Sequence, residues 1–456
     1  MSDYSEIDRY IHQNLDYSIQ ELNTLLAQPS VSAQNLGIKE CAEMVAELLM
    51  KRGFRVEVLP TAGAPVVFAE RKGRTDRTLL FYNHYDVQPP EPIELWHTPP
   101  FTPTLKDGNL YARGVSDNKG NIVSRLFAID ALLATDGELP CNVKFAIEGE
   151  EETSSVHLED FVISNQKKLA ADACIWEFGG IDELGQPVIS LGLRGICYVE
   201  LSVETASQDV HSGLGGSIFP NAAWRLVWAL NSLKGPDERI RIPHYYDDVR
   251  QPSPVDWKLM EKLPDVAEDY KKQYGLKGFV RGLQGGVELR MAAVFEPTCT
   301  ICGLTSGYQG PGSKTVLPAK ASAKVDFRLV PDQNPKKVVQ MLRDHLDREG
   351  FFDVKIEYLG GEAPGRTDPE HPFVKLVAEA AESAYQRPAQ INPMIGGSGP
   401  NHVFQETLKV PLVSAGVGYP GSGAHAPNEH IRIEDYITGT KHVARILKMM
   451  GERESI

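Results

Sequence analysis

The hydrophobic pattern of this 456-residue chain changes period twice, which restricts the possible folds more than any single motif does. Up to about residue 192, helix and strand signals alternate. A helix over 38–52 places Cys41, Val45, Leu48 and Leu49 on one face and closes at Gly53, and a strand follows at 78–87 (TLLFYNHYDV). After a polar, glycine-containing stretch at 106–120 come a helix near 121–134, a strand at 141–148, a helix near 155–168 and a strand at 172–178. This alternation predicts a mainly parallel sheet with helices on both faces and a site at the carboxyl ends of the strands. From residue 195 the texture differs: GICYVELSVETA alternates apolar and polar residues, as a sheet with one exposed face does. A helix at 221–233, a Pro- and charge-rich stretch, a second alternating run (ASAKVDFRLVP) and a capped helix (PKKVVQMLRDHLDREG) complete an α+β set. From about 370, FVKLVAEAAESAY and VPLVSAGVG restore the first style. The expectation is a three-layer α/β sandwich built from residues 1–194 and 370–456, interrupted by an α+β domain at 195–369.

Composition narrows the partners. The chain carries 47 Lys and Arg against 61 Asp and Glu, a net charge of −14, and no basic block long enough to hold a phosphate backbone, so nucleic acid is not expected. With 42% hydrophobic residues it has ample material for packed cores. No run approaches the roughly 20 apolar residues that cross a bilayer, and MSDYSEIDRYIHQNL lacks the pattern of a secretory signal, so a cytoplasmic location without membrane contact is expected. Six cysteines are too sparse for a disulfide framework. Cys299 and Cys302 form a lone C-x-x-C, but PTCTICGL reads as a strand in which the two side chains point apart, so packing is the expected role. GYQGPGSKT at 307–315 superficially resembles a phosphate-binding loop. The VLPAKASAKVDF that follows reads as strand, where that loop needs a helix.

The chemistry concentrates at predicted strand ends. In NHYDVQP, His84 and Asp86 project on one face, an arrangement in which the carboxylate can fix the tautomer of a metal-binding imidazole, although a surface pair reads the same way. Asp117 lies in ARGVSDNKGN before a helix and could equally be its N-cap. GEEETSS puts Glu150, Glu151 and Glu152 at a strand exit; the bland reading is a solvated turn, the sharper one a metal ligand beside a general base. Glu177 ends the apolar run ACIWE, and His425 sits in the loop GYPGSGAHAPNEH. Two histidines and three carboxylates at strand ends suit zinc or manganese and suffice for two ions sharing a carboxylate.

In order, NHYDVQP, ARGVSDNKG, GEEETSS, VHSGLGG, a Thr-Val-Leu-Pro run leading to FRLVP, GGSGP and GAHAPNE resemble the di-metal metallopeptidase family that contains cytosolic non-specific dipeptidase, carnosinase, glutamate carboxypeptidase, aminoacylase, acetylornithine deacetylase and succinyl-diaminopimelate desuccinylase. The resemblance spans about residues 15 to 445. It implies that the α/β sandwich is the catalytic domain and that the insertion is a ferredoxin-like lid and dimerisation domain. It also implies two divalent ions per subunit: His84 and Glu177 on one, Glu152 and His425 on the other, Asp117 bridging. Asp86 would orient His84, and Glu151 would deprotonate the metal-bridging water and reprotonate the leaving amine. His211, in QDVHSGLGG, would steady the oxyanion in the partner subunit's site. Arg328 would grip the substrate's terminal carboxylate, with Ser398 and Asn221 as further substrate contacts.

The implied reaction is hydrolysis of the amide bond of a dipeptide or short peptide with a free carboxylate, carried out by a homodimer. Hydrolysis of N-acyl amino acids is the alternative, because Glu177 stands where dipeptidases of the family typically carry Asp and its carboxypeptidases and aminoacylases Glu, whereas segment 240–290 and EEETSS look closer to the dipeptidases. A peptide-binding module without catalysis is the reading from another class; it is disfavoured because each expected position carries a competent residue.

Overall fold

The computed structural model describes residues 4–453. They form two compact units: one runs up to Gly192 and adds Arg366–Pro393 and the chain from Val403 on, the other comprises Leu193–Gly365 and Met394–His402.

Along the chain the labelled elements are α1 (Ile38–Lys51), β1 (Arg55–Leu59), β2 (Val66–Arg71), β3 (Thr78–His84), α2 (Lys119–Asp136), β4 (Asn142–Glu148) and β5 (Ala173–Trp176). There follow β6 (Gly195–Glu204), α3 (Ala222–Leu233), β7 (Thr298–Ser306), β8 (Lys320–Leu329), α4 (Pro335–Arg348), β9 (Lys355–Glu362), α5 (Pro372–Tyr385), β10 (Leu412–Ser414) and α6 (Ile433–Glu452).

In the first unit the sheet order is β1-β2-β4-β3-β5-β10, with β4, β3, β5 and β10 parallel and β1 and β2 antiparallel. Six of the seven residues of β3 are buried, the mark of a strand covered on both faces. Leu79, Phe81, Val143, Phe145 and Ile175 join Val123, Leu126 and Phe127 of α2 and Val443, Ile446 and Leu447 of α6 in one core. Truncating a large side chain such as Phe145 to Ala there costs roughly 3–5 kcal/mol. The register is what matters for the site: His84 pairs with Glu148, and Ser414 with Trp176, so β3 ends level with β4 and β5 with β10, all four pointing their carboxyl ends the same way.

The second unit carries a four-stranded antiparallel sheet of order β7-β8-β6-β9. Its β-α-β-β-α-β order is ferredoxin-like. β6 alternates buried and partly exposed residues, and Val199, Leu201, Val325 and Phe327 pack with Leu226 of α3 and Leu342 of α4. The chain between α3 and β7, read in the sequence only as Pro- and charge-rich, holds helices Pro254–Lys262, Ala267–Tyr274 and Gly286–Phe295, the first opened by a Ser253–Asp256 capping box. Residues 394–402, expected in the closing α/β segment, cluster with this second unit. Two backbone contacts and one side chain hold them there: Ile395 bridges Leu193, Arg194 N–H donates to Gly397 O at 2.9 Å, and Asn401 Nδ2 donates to Gly365 O at 3.0 Å.

Cys299 is buried in β7 and Cys302 exposed, so the C-x-x-C side chains do point apart. Residues 307–315 contain no helix. Among the described residues no helix is long and apolar enough to cross a membrane.

Candidate metal centre

All of the expected metal ligands lie in the first unit, and they converge. His84 ends β3 with its side chain fully buried; its Nε2 is 2.9 Å from Asp117 Oδ1, 3.5 Å from Glu177 Oε2 and 4.0 Å from Glu151 Oε2. The other oxygen of Asp117 faces His425 Nε2 at 3.1 Å, and the same nitrogen lies 3.1 Å from Glu152 Oε2. One ligand atom each from His84, Asp117 and Glu152 falls within 4.8 Å of the other two. Asp117 thus stands between two groups, His84 with Glu177 and His425 with Glu152. It is not the N-cap of α2, a position occupied by Asn118.

The three consecutive glutamates separate by partner. Glu150 is taken by His157 Nδ1 at 2.8 Å, Glu152 accepts from Gln88 Nε2 at 2.8 Å, and Glu151 keeps a carboxylate facing His84. Asp86, fully buried, orders this turn as well as the histidine. Its Oδ1 is 3.3 Å from His84 Nδ1 and accepts the amide of Glu151 at 3.2 Å, while Oδ2 accepts the amide of Glu152 at 3.1 Å. His84 Nδ1 also donates to the backbone oxygen of Asp86 at 3.0 Å, which leaves Nε2 for the site.

Packing so many carboxyl groups together distorts their titration. Burial pushes Glu151 up to about 8, with Asp117, Glu152 and Glu148 adding to the shift and His84 opposing it. Burial and the Glu151 charge hold Glu177 well above the usual carboxylate range. Asp117 moves the opposite way: burial is outweighed by hydrogen bonds from His425 and His84. Those bonds, with Glu152, take His425 up to about 10, and His84 rises well above its usual value despite burial through Asp117 and Asp86. Protons shared among these groups are what bound cations would displace. Glu177 Oε2 is buried without a hydrogen-bond partner, so the donor set fits a cation: an orphaned carboxylate oxygen beside imidazole nitrogens. A cavity of about 510 Å³ opens over Asp117, Glu151, Glu177 and His425, walled by Phe178, Ile181 and Tyr419.

Arg125 had no distinguishing signal in the sequence, where it sits in an apolar helix. Its fully buried guanidinium donates to Tyr82 O at 2.7 Å, Glu177 O at 3.1 Å and Ala415 O at 3.2 Å, and also to Trp176 O and Asn83. It joins the ends of β3, β5 and β10. Asn118 donates to Glu177 O at 3.0 Å, so the backbone of Glu177 is held from two sides. Both Nη atoms find acceptors, which offsets much of the cost of burying the charge, while Nε has no hydrogen-bond partner.

The remaining expected residues belong to the second unit. Arg328 Nη1 donates to Ser398 Oγ at 2.8 Å and Nε to Asp326 at 3.2 Å, which brings two of the expected substrate contacts together. His211 is exposed; its Nδ1 accepts from Gly213 N at 3.0 Å and its Nε2 lies 3.3 Å from Thr315 Oγ1. Asn221 caps α3, accepting the Trp224 amide at 3.2 Å.

Comparison with known proteins identifies the family. Residues 80–449 match the family described as Peptidase family M20/M25/M40. A crystal structure of an M20 family metallo-carboxypeptidase from Sulfolobus solfataricus is 40% identical, with a TM-score of 0.89 over 95% of this chain and 99% of that one. Among sequences, a Beta-Ala-His dipeptidase of Rattus norvegicus is 29% identical over 96% of this chain and 89% of its own, and a Cys-Gly metallodipeptidase of Schizosaccharomyces pombe is 28% identical over 94% and 95%.

Proposed function

The chain belongs to peptidase family M20/M25/M40, and from that membership we propose that it hydrolyses the amide bond of dipeptides or short peptides bearing a free C-terminal carboxylate. The observation that carries the proposal is Asp117 set between two histidine–carboxylate pairs with Glu151 beside them. His84 and Glu177 would hold one divalent ion, His425 and Glu152 the other, and Asp117 both. Zinc or manganese suits this mixed nitrogen and oxygen set. When bound, such ions make water more acidic and polarise a carbonyl oxygen.

The residues supply the rest. Glu151, its carboxylate 4.0 Å from His84 Nε2 and facing the cavity, is placed to take a proton from water and return it to the leaving nitrogen. Asp86 fixes the turn from which Glu151 acts. Arg328, steered by Asp326 and Ser398, would bind the substrate carboxylate through its guanidinium fork, and His211 would steady the developing oxyanion in a second subunit's site. Asn221 is a weaker contact, since its oxygen already caps a helix. We place the enzyme in the cytoplasm as a homodimer whose inserted domain serves as lid and dimerisation surface. Trp224 and Trp228 of α3, stacked at 5.9 Å and more than half exposed, support an interface on that unit.

The dipeptidase relatives favour peptides over the N-acyl amino acid alternative. A panel of dipeptides, longer peptides, N-acetyl and N-carbamoyl amino acids, assayed before and after exhaustive chelation, tests the proposal. Dipeptides should be cleaved fastest, and activity should vanish on chelation and return with zinc or manganese. Activity indifferent to chelation would contradict it.

A further inference from the structure

Four residues after His425, Glu429 is fully buried, and the proposed mechanism leaves it without a task. Both of its oxygens are saturated by a single loop. Oε2 accepts Arg113 Nη1 at 2.9 Å and the Gly114 amide at 2.8 Å; Oε1 accepts the amides of Ser116 at 2.8 Å and Asp117 at 3.0 Å. The backbone joins in, with Ala112 N–H donating to Glu429 O at 3.2 Å. Three amides can converge on one carboxylate because the loop turns through Gly114 at φ +85°, where a Cβ would also lie 2.5 Å from Val87.

These contacts close a ring. Glu429 holds the Asp117 backbone, the Asp117 carboxylate meets His425 at 3.1 Å, and His425 returns through four residues of chain to Glu429. We infer that Glu429 is a positioning residue of the metal centre: it locks the loop carrying Asp117 to the loop carrying His425 and so sets the separation between the bridging carboxylate and that histidine. The inference rests on the metal-binding reading above. It touches no substrate and acts only through Asp117 and His425. A carboxylate is required because every group facing it is a donor. Gln, with one amide N–H₂, would oppose either the Arg113 and Gly114 donors or the Ser116 and Asp117 amides.

The test compares wild type, Glu429→Gln and Glu429→Asp as purified full-length protein, stripped of metal. Zinc affinity is read by competition with a chromophoric chelator and folding by thermal unfolding. Wild type should bind about two zinc ions; if it binds none, the metal reading fails rather than this inference. Glu429→Gln should unfold cooperatively yet bind zinc about 10- to 100-fold more weakly, with kcat falling and KM changing less than about threefold. Glu429→Asp keeps the charge but not the reach and should lie between. Wild-type zinc affinity in either folded variant would overturn the inference. So would failure of both to fold even with excess zinc, since that would mark the carboxylate as a determinant of folding alone.

Discussion

Replacing Asp86 by Asn should loosen the Glu151–Glu152 turn while leaving the His84 tautomer in place. Asp86 receives three donors, the amides of Glu151 and Glu152 and His84 Nδ1–H, and the last also reaches the Asp86 backbone oxygen at 3.0 Å. An asparagine in the same rotamer keeps one acceptor. Its better orientation leaves the oxygen toward Glu151 and His84 and turns N–H₂ against the Glu152 amide. One orphaned buried donor costs about 1–3 kcal/mol. Taking about 2 kcal/mol, local opening becomes about 30-fold more frequent, since each 1.4 kcal/mol is tenfold. Hydrogen exchange followed by peptide mass spectrometry should therefore show residues 150–153 exchanging about 30-fold faster while β3 exchanges as in wild type. Turnover should fall because Glu151 is no longer held. Wild-type exchange at 150–153 would refute the reasoning, and so would equal loosening of β3, which would mean general destabilisation instead of a local one.

Burial takes His442 down to about 4 from 6.5; its Nε2–H donates to Val377 O at 3.1 Å and Arg445 disfavours a second charge. The unfolded chain binds this proton first, so the contribution is complete above about pH 6.5 and lost as pH falls toward 4. Between pH 7 and 4.5 the loss is about 2.5 kcal/mol. Unfolding free energies from urea titrations of wild type and His442→Gln should diverge in pH dependence by that amount, and parallel curves would contradict it. Arg328→Met should raise KM for a dipeptide about 10- to 100-fold and leave its C-terminally amidated analogue little changed, as loss of a charged hydrogen bond implies; equal effects on both would remove Arg328 from carboxylate recognition. Mixing inactive His211→Ala with inactive Glu151→Gln protomers should regenerate activity, and no recovery despite proven subunit exchange would argue against His211 acting across a dimer.

The residues at strand ends were legible because a parallel sheet aligns its carboxyl ends, and His84, Asp117, Glu152, Glu177 and His425 do meet there. The two changes of period likewise anticipated an α/β sheet and an antiparallel one. What stayed hidden depends on chain reversals. That Asp86 caps the turn after β4 requires the chain to fold back over a separation of 65 positions, and spacing within NHYDV says nothing of it. Arg125 reads as one charge in an apolar helix because all but one of its acceptors are backbone oxygens, which carry no sequence signature. Glu429 stayed unmarked for the same reason, three of its four donors being amides. Helices at 254–295 went unread because their first two, such as AEDYKKQY, carry little apolar periodicity. The helix expected at 155–168 is two short pieces, Leu158–Ser164 and Gln166–Leu169, separated at Asn165, which bonds back to Phe161 O.

The central claim, that Glu151 is the proton carrier beside a centre built by five other side chains, is tested most directly by measuring metal content and turnover together in Glu151→Gln. Metal bound per subunit should equal that of wild type, because none of the five ligands is altered, while turnover of a cleavable dipeptide should fall at least 10²-fold. Turnover within about tenfold of wild type at full metal occupancy would contradict the account.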